Sequence, residues 1–198
     1  MKPAIILAST SAARIAMLTA AGLTFEPEAP GVDEAGPKAR LLSEGATPIK
    51  VAQMLAAMKA LEVSRRRQGL VIGADQTLDL DGELFDKAGS VEELRGHLYA
   101  LRGRRHLLHS AVVVAKDGVP LWRATDTAAL SMRVFSEAFL EGYLERNGER
   151  MLASVGGYQL EGEGVQLFDE VKGDAFTILG LPLIPLLEFL RKRGAIAT

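Results

Sequence analysis

The stretch from Leu70 to Lys87 constrains the fold of this chain more than any other part of it. The residues from Leu70 to Ala74 are apolar and predict a short buried strand. Asp75 follows at the carboxyl end of that strand, where open α/β sheets usually place ligand chemistry. A second short strand is predicted next, and Asp81-Gly82 favours a tight hairpin that returns the chain to Lys87. The pattern predicts a carboxylate and an ammonium at the mouth of one cleft, although an ordinary hairpin with a surface Asp and Lys fits equally well.

The length and composition suit one large domain or two small lobes that share a core, since the chain has 198 residues of which 48% are hydrophobic. The net charge of −2 provides no basic face for nucleic acid. There is no cysteine, so disulfides and thiolate metal sites are excluded. The first apolar run is too short for a signal peptide, and Ile178 to Leu190 is too short to span a bilayer. We therefore expect a soluble, cytoplasmic protein that binds neither nucleic acid nor membrane.

A predicted first strand, Ala4 to Ala8, leads through a hydroxyl-rich turn into a helix. Free N–H groups and hydroxyls at such a helix start bind anions, and Arg14 adds a fork of donors in the first helical turn. Ser9 and Ser11 also fit the commoner role of an N-cap. Anion binding and simple capping both remain open for this segment.

Two further segments carry charged residues in contexts that predict either function or plain solvation. The stretch Glu26 to Thr47 is rich in Pro and Gly, which predicts a loop with at most one short helix, and it contains Asp33-Glu34. Pro48 to Arg67 has helical spacing of apolar residues, with Lys59 at the edge of the apolar stripe. Lys59 can snorkel to the surface or project into a cleft, and the acidic pair can be a solvated loop.

The rest of the chain predicts alternating strands and helices. The predicted elements are a helix at Val91 to Leu101, strands at Leu107 to Val114, Val119 to Trp122 and Ala124 to Val134, and helices at Ser136 to Arg146 and Leu183 to Lys192. Asn147-Gly148 is predicted to end the first of these last two helices. The glycine-rich stretch Ser154 to Gly164 lacks the strand-then-helix context of a dinucleotide site, so its glycines serve turns or close approach to a flat ligand.

Several short motifs occur in an order that, taken together, is specific although no single motif is. In chain order they are Leu7-Ala8-Ser9-Thr10-Ser11 with Arg14, Val32-Asp33-Glu34, Lys59-Ala60, Gly73-Ala74-Asp75, Lys87, Gly156 to Gly162, and Gly180-Leu181-Pro182-Leu183. In this order the chain resembles the Maf family of nucleoside triphosphate pyrophosphatases, from its first strand to its last helix. The resemblance implies an α/β fold, with a mixed twisted sheet and flanking helices, in which one domain over residues 1–198 forms two lobes around a central cleft.

The resemblance also implies the reaction and the residues that perform it. Members of this family cut the α–β phosphoanhydride of a nucleoside triphosphate, giving a monophosphate and pyrophosphate, with a divalent cation such as Mg²⁺, Mn²⁺ or Co²⁺. It leaves the oligomeric state open between a monomer and a homodimer. By the matching motifs, the catalytic residues are Asp75, Lys59 and Lys87, the substrate-binding residues are Ser9, Ser11 and Arg14, and the metal ligands are Glu34 and Asp75.

The chemistry of these residues agrees with such a reaction independently of the resemblance. A triphosphate carries several negative charges, so its site needs the cations and donors that Arg14, Lys59 and Lys87 supply. Water is a poor nucleophile and needs a base or a metal. Asp75, ionised at neutral pH, accepts a proton from water or holds Mg²⁺ through one oxygen, and Glu34 shares the metal.

Two departures from the family pattern bear on the substrate and on one loop. The family usually has Pro-Arg-Arg where this chain has Ala12-Ala13-Arg14, which removes one candidate contact to phosphate or base at Ala13. It usually has Gly-Lys-Pro where this chain has Asp86-Lys87-Ala88, and this change is expected to alter only the shape of the loop.

Gln76 and Glu161 match the branch of the family that resembles 7-methylguanosine triphosphate hydrolases rather than the pyrimidine-directed branch. Guanine presents N1–H and a 2-amino group side by side, which one carboxylate accepts together, and N7-methylation strengthens that pairing with positive charge. Ala13 weakens the match, because that branch carries an aromatic residue there. The expectation is a guanine-type preference, with broad or pyrimidine-directed (dTTP or UTP) specificity as the alternative.

Three other classes of function compete with this one. Asp79-Leu80-Asp81-Gly82 superficially matches the nucleophile motif of haloacid-dehalogenase-like phosphatases, with Asp79 as the nucleophile, but that motif needs a long apolar strand directly before it. A non-catalytic nucleotide-binding regulator needs the cations but not Asp75. A purely structural protein explains none of the polar motifs.

Overall fold

The computed structural model describes residues 3–197, which form alternating strands and helices. In chain order the elements are β1 (Ile5–Leu7), α1 (Ala12–Ala20), β2 (Glu26–Pro27), α2 (Ala35–Ser43), α3 (Pro48–Ser64), β3 (Leu70–Leu80), β4 (Glu83–Phe85), α4 (Val91–Leu101), β5 (Arg105–Lys116), β6 (Val119–Met132), α5 (Glu137–Met151), a 3-10 turn (Glu163–Leu167), β7 (Phe168–Lys172), α6 (Ala175–Ile178) and α7 (Leu183–Lys192). The predicted α/β class is confirmed. The extent of the domain, 1–198, stays a prediction, and Met1, Lys2 and Thr198 lie outside the described residues.

The sheet is mixed, as predicted, and has seven strands in the order β2-β1-β3-β5-β6-β7, with β4 also paired to β3. β1 runs parallel to both of its neighbours, and the other pairings are antiparallel. Ile72 and Ala74 pack in one apolar cluster with residues of α1 and α7, whereas Gly73 between them lies against α3. Since successive residues of a strand point to opposite faces, helices flank both sides of the sheet.

Over residues 73–77, one edge of β3 has no neighbour among the strands that the structure describes. β1 pairs with this edge only from Leu70 to Ile72, and β4 pairs with it only from Leu78 to Leu80. The other edge pairs with β5 continuously from Val71 to Asp79. The backbone of residues 73–77 is therefore held in the sheet from one side and opens into a gap on the other.

Two apolar clusters lie on either side of this gap and form the two predicted lobes. One contains Ile72 with residues of α1 and α7, and the other contains Leu78 with residues of α4 and α5. β3 runs through both clusters, so the lobes share one sheet. None of the described helices is long and apolar enough to cross a membrane.

The structure corrects the predicted position of Asp75. The predicted pair of short strands is one strand of 11 residues, β3, and Asp75 lies in its middle rather than at its carboxyl end. The strand continues because β5 supplies ladder partners past Asp75. Asp75 nevertheless reaches open space, since its neighbour β1 ends at Leu7, which pairs with Ile72.

Other predicted boundaries also shift. Val119 to Trp122 and Ala124 to Val134 form one strand, β6, and α5 continues past Asn147-Gly148 to Met151. The helix tolerates that dipeptide because the Asn147 side chain donates to Tyr143 O at 3.2 Å, and because Gly148 packs closely on Val91. The predicted hairpin at Asp81-Gly82 is confirmed, with φ of 55° and 91° at the two turn residues.

Candidate active site

A cleft of about 980 Å³ occupies the gap beside β3. Its walls come from the β1–α1 turn, the start of α2, the α3 helix, the β4 turn and the glycine-rich segment before β7. All ten predicted site residues line it: Ser9, Ser11, Ala13, Arg14, Glu34, Lys59, Asp75, Gln76, Lys87 and Glu161. The structure thus brings together residues that are up to about 150 positions apart in the sequence.

The turn between β1 and α1 combines a cap with a fixed cation. Ser11 is the N-cap of α1, and its hydroxyl accepts from Arg14 N at 3.5 Å. Arg14 Nε donates to Gly180 O at 2.9 Å, and its Nη1 donates to Ser9 Oγ at 3.5 Å. Burial lowers the pKa of Arg14, while the charges of Asp75 and Glu34 raise it. Ser11 therefore caps α1, and Arg14 lies beside this cap as a cation that lines the cleft.

A carboxylate–ammonium cluster forms the floor of the cleft. Lys59 Nζ lies 2.6 Å from Asp75 Oδ1 and 3.0 Å from Glu34 Oε2. Lys59 is 7% exposed and Asp75 is 8% exposed. Of the two options open from the sequence, Lys59 therefore projects into the cleft, and Glu34 faces it as well.

Close packing of α3 on β3 places Lys59 over Asp75. A Cβ on Gly73 would lie 2.4 Å from Ala56 O and 2.5 Å from Ala60 N, so the helix backbone rests directly on the strand. Ala56 and Ala60 are fully buried in this contact. Lys59 precedes Ala60, and its ammonium spans the short remaining distance to Asp75.

The environment of Asp75 changes the pKa of its carboxyl group. Burial raises the pKa of Asp75 above its ordinary value of 3.8, and the charges of Lys59 and Arg14 oppose that rise. Mg²⁺ is usually held in proteins by one or two carboxylates together with waters and substrate phosphates. The carboxylates of Asp75 and Glu34 are oxygen ligands of that kind. In the part of the chain that the structure describes, no cluster of three or more His, Cys, Asp or Glu forms a ready-made metal site.

Gln76 is fixed in orientation by backbone carbonyls. Its Nε2 lies 3.0 Å from Thr177 O and 2.9 Å from Ile178 O, so the amide NH₂ must face α6. The same nitrogen, Gln76 Nε2, also lies 3.0 Å from Ser110 Oγ. The amide oxygen of Gln76 is the group left toward Gly180 and the cleft.

The glycine-rich segment is a packed wall rather than a loose loop. The buried Tyr158 fills its interior, and a Cβ on Gly156 would lie only 2.3 Å from the Tyr158 ring. His106 Nε2 lies 2.7 Å from Tyr158 Oη, and Tyr143 Oη donates to Gly157 O at 2.9 Å. Gly156 therefore serves the close packing of this wall, which is neither of the two roles expected for these glycines.

Glu161, at the outer end of this wall, lines the cleft and is exposed. It forms no hydrogen bond or salt bridge with residues 3–197. Glu163, two residues later, is held instead by Arg146 and by Asn147 Nδ2 at 2.8 Å. Of the two carboxylates, Glu161 is therefore the one available to a ligand.

The buried His106 beneath this wall predicts that stability falls at acidic pH. His106 is 1% exposed, and burial lowers its pKa from 6.5 to about 4. Between these two values the unfolded chain binds a proton that the folded protein does not. The unfolding free energy is thus unaffected by this group above about pH 6.5 and decreases as the pH falls toward about 4, by on the order of 3 kcal/mol.

Urea unfolding at about pH 7 and about pH 4.5 measures this effect. In wild type, every titrating group contributes to the change in unfolding free energy between these two pH values. The comparison is therefore with His106→Asn, which lacks the imidazole. The variant should show a shallower decrease across this range. Equal decreases in the two proteins would contradict the prediction.

Two charged residues of the cleft were not predicted as site residues. Lys38 of α2 lines the cleft and forms an ion pair with Asp86, which follows β4. Lys38 carried no signal in the sequence, because it lies in a Pro- and Gly-rich stretch without an apolar pattern. Asp86 was expected to affect only loop shape, and that expectation is wrong, since it places a charge in the cleft.

Asp79, the alternative nucleophile, lies outside the cleft. Its Oδ1 accepts from Gly82 N at 2.7 Å, which stabilises the hairpin turn, and its Oδ2 lies 3.1 Å from His109 Nε2. Both oxygens therefore have partners within the fold. Lys87, by contrast, lines the cleft and forms no salt bridge with residues 3–197.

Comparisons with known proteins show which family this chain is similar to. The family model described as Maf-like protein matches residues 4–193. A nucleoside triphosphate pyrophosphatase of Caulobacter vibrioides is 60% identical over 192 residues, which cover 97% of this chain and 96% of that protein. A 7-methyl-GTP pyrophosphatase of Mesorhizobium japonicum is 51% identical over 197 residues, 99% of each chain.

A solved structure of a HAM1 protein from Coxiella burnetii aligns with a TM-score of 0.46 at 17% identity, covering 67% of this chain and 74% of that one. The family model spans nearly the whole chain, and the relatives match it over nearly their full length. This protein therefore belongs to the Maf family.

Proposed function

We propose that this protein is a nucleoside triphosphate pyrophosphatase, which hydrolyses the α–β phosphoanhydride and releases a nucleoside monophosphate and pyrophosphate. One observation carries the proposal: the buried pair of Asp75 and Lys59 shares a cleft with Arg14 and Lys87. A base beside several cations is what hydrolysis of a polyphosphate requires. The names of the Caulobacter and Mesorhizobium relatives support the same reaction class.

The residues divide the work between proton transfer and charge stabilisation. Asp75 takes one proton from the attacking water as a new P–O bond forms at one of the two bridged phosphorus atoms. The bond from the bridging oxygen to that phosphorus breaks, and the electron pair stays on the leaving phosphate oxygen. Arg14, Lys59 and Lys87 stabilise the negative charge of the phosphates, which is greatest on the departing group. Lys59 also holds Asp75 in place through the 2.6 Å contact.

A divalent cation fits this cleft, and Glu34 and Asp75 would hold it. Mg²⁺ binds through one or two carboxylates with water and substrate phosphates, which matches the two acidic side chains beside Lys59. When bound, the ion neutralises phosphate charge and lowers the pKa of bound water. We expect Mg²⁺, Mn²⁺ or Co²⁺ to serve.

The reaction class is tested by a screen of ordinary and modified nucleoside triphosphates with each of these three ions, following pyrophosphate release. Turnover that depends on the triphosphate and on the ion supports the proposal. Tight nucleotide binding without turnover under every condition would instead identify a non-catalytic nucleotide-binding regulator.

Within this reaction, the proposed preference is for a guanine-type base such as that of 7-methyl-GTP. Glu161 has no partner among the described residues and is exposed to the cleft, so its carboxylate is free to accept two donors from one base edge. Guanine offers N1–H and its 2-amino group, and the positive charge of N7-methylguanine strengthens the contact. The pyrimidines of dTTP and UTP offer no such pair of donors.

Glu161→Gln is expected to reduce kcat/KM for 7-methyl-GTP and GTP by roughly tenfold or more, because an amide cannot accept both guanine donors. The same variant should change dTTP and UTP hydrolysis much less. Glu163→Gln is the matched control, since Glu163 is held by Arg146 and Asn147. A wild type that favours dTTP or UTP, or an unchanged ranking in the variant, would remove Glu161 as the discriminator and leave broad or pyrimidine-directed specificity.

A further inference from the structure

Lys38 and Asp86 face each other across the mouth of the cleft. Lys38 lies on α2, one turn after Glu34, and Asp86 lies directly before Lys87. The two side chains form an ion pair that joins the α2 wall to the β4 wall. Lys38 is 20% exposed and Asp86 is 62% exposed, so the pair is anchored at the lysine and open to solvent at the carboxylate.

The charges that line the cleft cancel before any ligand enters. Its cations are Arg14, Lys38, Lys59 and Lys87, and its carboxylates are Glu34, Asp75, Asp86 and Glu161. Four positive and four negative groups leave no net attraction for a triphosphate, which carries about four negative charges. A polyphosphate therefore binds more tightly if a carboxylate of the cleft gives up its cation.

Asp86 is the carboxylate that can do so at the lowest cost. Glu34 and Asp75 share Lys59 on the floor of the cleft, where Lys59 and Asp75 are both buried. Asp86 is mostly exposed, and an exposed ion pair is weak because water and salt screen it. Water replaces Lys38 as the partner of Asp86 far more readily than it replaces Lys59 as the partner of Asp75.

We propose that Lys38 is a further phosphate-binding residue of this cleft and that Asp86 is its internal competitor. Without nucleotide, the Lys38 ammonium pairs with Asp86. When the phosphates enter, the ammonium moves to them, and the Asp86 carboxylate turns to water. This inference rests on the proposed function, since it assigns these residues to the triphosphate substrate.

The position of α2 allows this exchange. None of the residues of α2 is fully buried, so the helix can adjust its position without breaking a tight core. Glu34, the N-cap of this helix and one turn before Lys38, already reaches Lys59 at 3.0 Å, so the side of α2 that carries Lys38 faces the catalytic cluster. The Asp86 carboxylate follows the short strand β4, whose side chains are at least partly exposed.

The test measures binding of inorganic tripolyphosphate by calorimetry, without metal, to the full-length protein. The variants are Lys38→Gln, Asp86→Asn and the double variant, with Lys50→Gln as control because Lys50 is exposed on α3 and lies outside the cleft. Lys38→Gln should weaken binding roughly ten- to hundredfold, and Asp86→Asn should strengthen it a few-fold, by about the strength of an exposed ion pair. The control should bind as wild type does.

The double variant separates competition from a general effect of charge. If Asp86 acts by occupying Lys38, the gain from Asp86→Asn disappears in the Lys38→Gln background. A gain of equal size in both backgrounds, wild-type binding by Lys38→Gln, or no binding by wild type would each overturn the inference. Because binding is measured without turnover, a wild type that binds tripolyphosphate through Lys38 but hydrolyses no nucleotide would overturn the proposed function and leave this inference standing.

Discussion

Replacing Asp75 with asparagine is expected to reduce kcat by about 10²–10⁴-fold, the contribution of a positioned general base, with a larger loss if a metal ligand is removed as well. Asparagine keeps the size of the side chain and an oxygen for Lys59, which lies 2.6 Å away, so the fold should survive. The matched control is Asp79→Asn, on the same strand but outside the cleft. Steady-state kinetics at saturating metal, with thermal unfolding as a check on folding, measures both variants.

The outcomes of this pair distinguish two reaction classes. Wild-type kcat in Asp75→Asn would exclude Asp75 as the base. Loss of activity in Asp79→Asn, together with an aspartyl-phosphate trapped at Asp79 of the wild-type protein, would restore the phosphatase alternative.

The pH profile provides a second readout of the same residue. Burial raises the pKa of Asp75, and a protonated Asp75 cannot accept a proton from water. kcat/KM should therefore rise with pH through an acid limb that lies above the ordinary aspartate value of 3.8. Lys59 opposes the rise in that pKa, so Lys59→Met should move the limb to still higher pH. A limb that stays in place in this variant would contradict the assignment.

Gly73→Ala is expected to cause a large loss of stability. The new Cβ would lie 2.4 Å from Ala56 O, 2.5 Å from Ala60 N and 2.8 Å from Ala60 Cβ, and two of these are backbone atoms of α3 that cannot rotate away. Overpacking of this kind typically costs ~1–3 kcal/mol and sometimes more. Displacement of α3 also moves Lys59 away from Asp75. The activity of each folded molecule should therefore fall as well.

Gly96→Ala is the matched control for this substitution. Gly96 lies within α4, where an added Cβ meets nothing within 4 Å, so alanine should stabilise the helix by up to ~1 kcal/mol. Urea unfolding of both variants and wild type measures the two effects. A Gly73→Ala protein as stable as wild type would mean that α3 does not rest on the backbone of β3 as closely as described.

Local patterns were sufficient to predict most of the helices but not the position of Asp75, and the mixed sheet was expected from the family resemblance. The last helix, Leu183–Lys192, and the hairpin at Asp81-Gly82 follow from periodicity and turn chemistry that nearby residues determine. Asp75 lies in mid-strand because β3 pairs from Val71 to Asp79 with residues of β5 that are 28 to 44 positions away. Such long-range pairing leaves no local mark in the sequence.

The site residues likewise divide into those that local motifs predict and those that depend on long-range contacts. Motif order identified ten residues that the fold gathers into one cleft, because each of them lies on an element that faces the gap beside β3. Lys38 was missed because its contact with Asp86 spans 48 positions and connects two segments without any periodic pattern. The shared use of Lys59 by Asp75 and Glu34 likewise depends on the close approach of α3 to Gly73.

The central claim is that the cleft beside Asp75 releases pyrophosphate from a nucleoside triphosphate. Phosphorus NMR of the products of one substrate, 7-methyl-GTP, incubated with the wild-type protein and Mg²⁺ tests it most directly. The monophosphate and pyrophosphate are expected as the first products, formed together in equal amounts, and formed about 10²–10⁴-fold more slowly by Asp75→Asn. Orthophosphate and the nucleoside diphosphate as first products would contradict it.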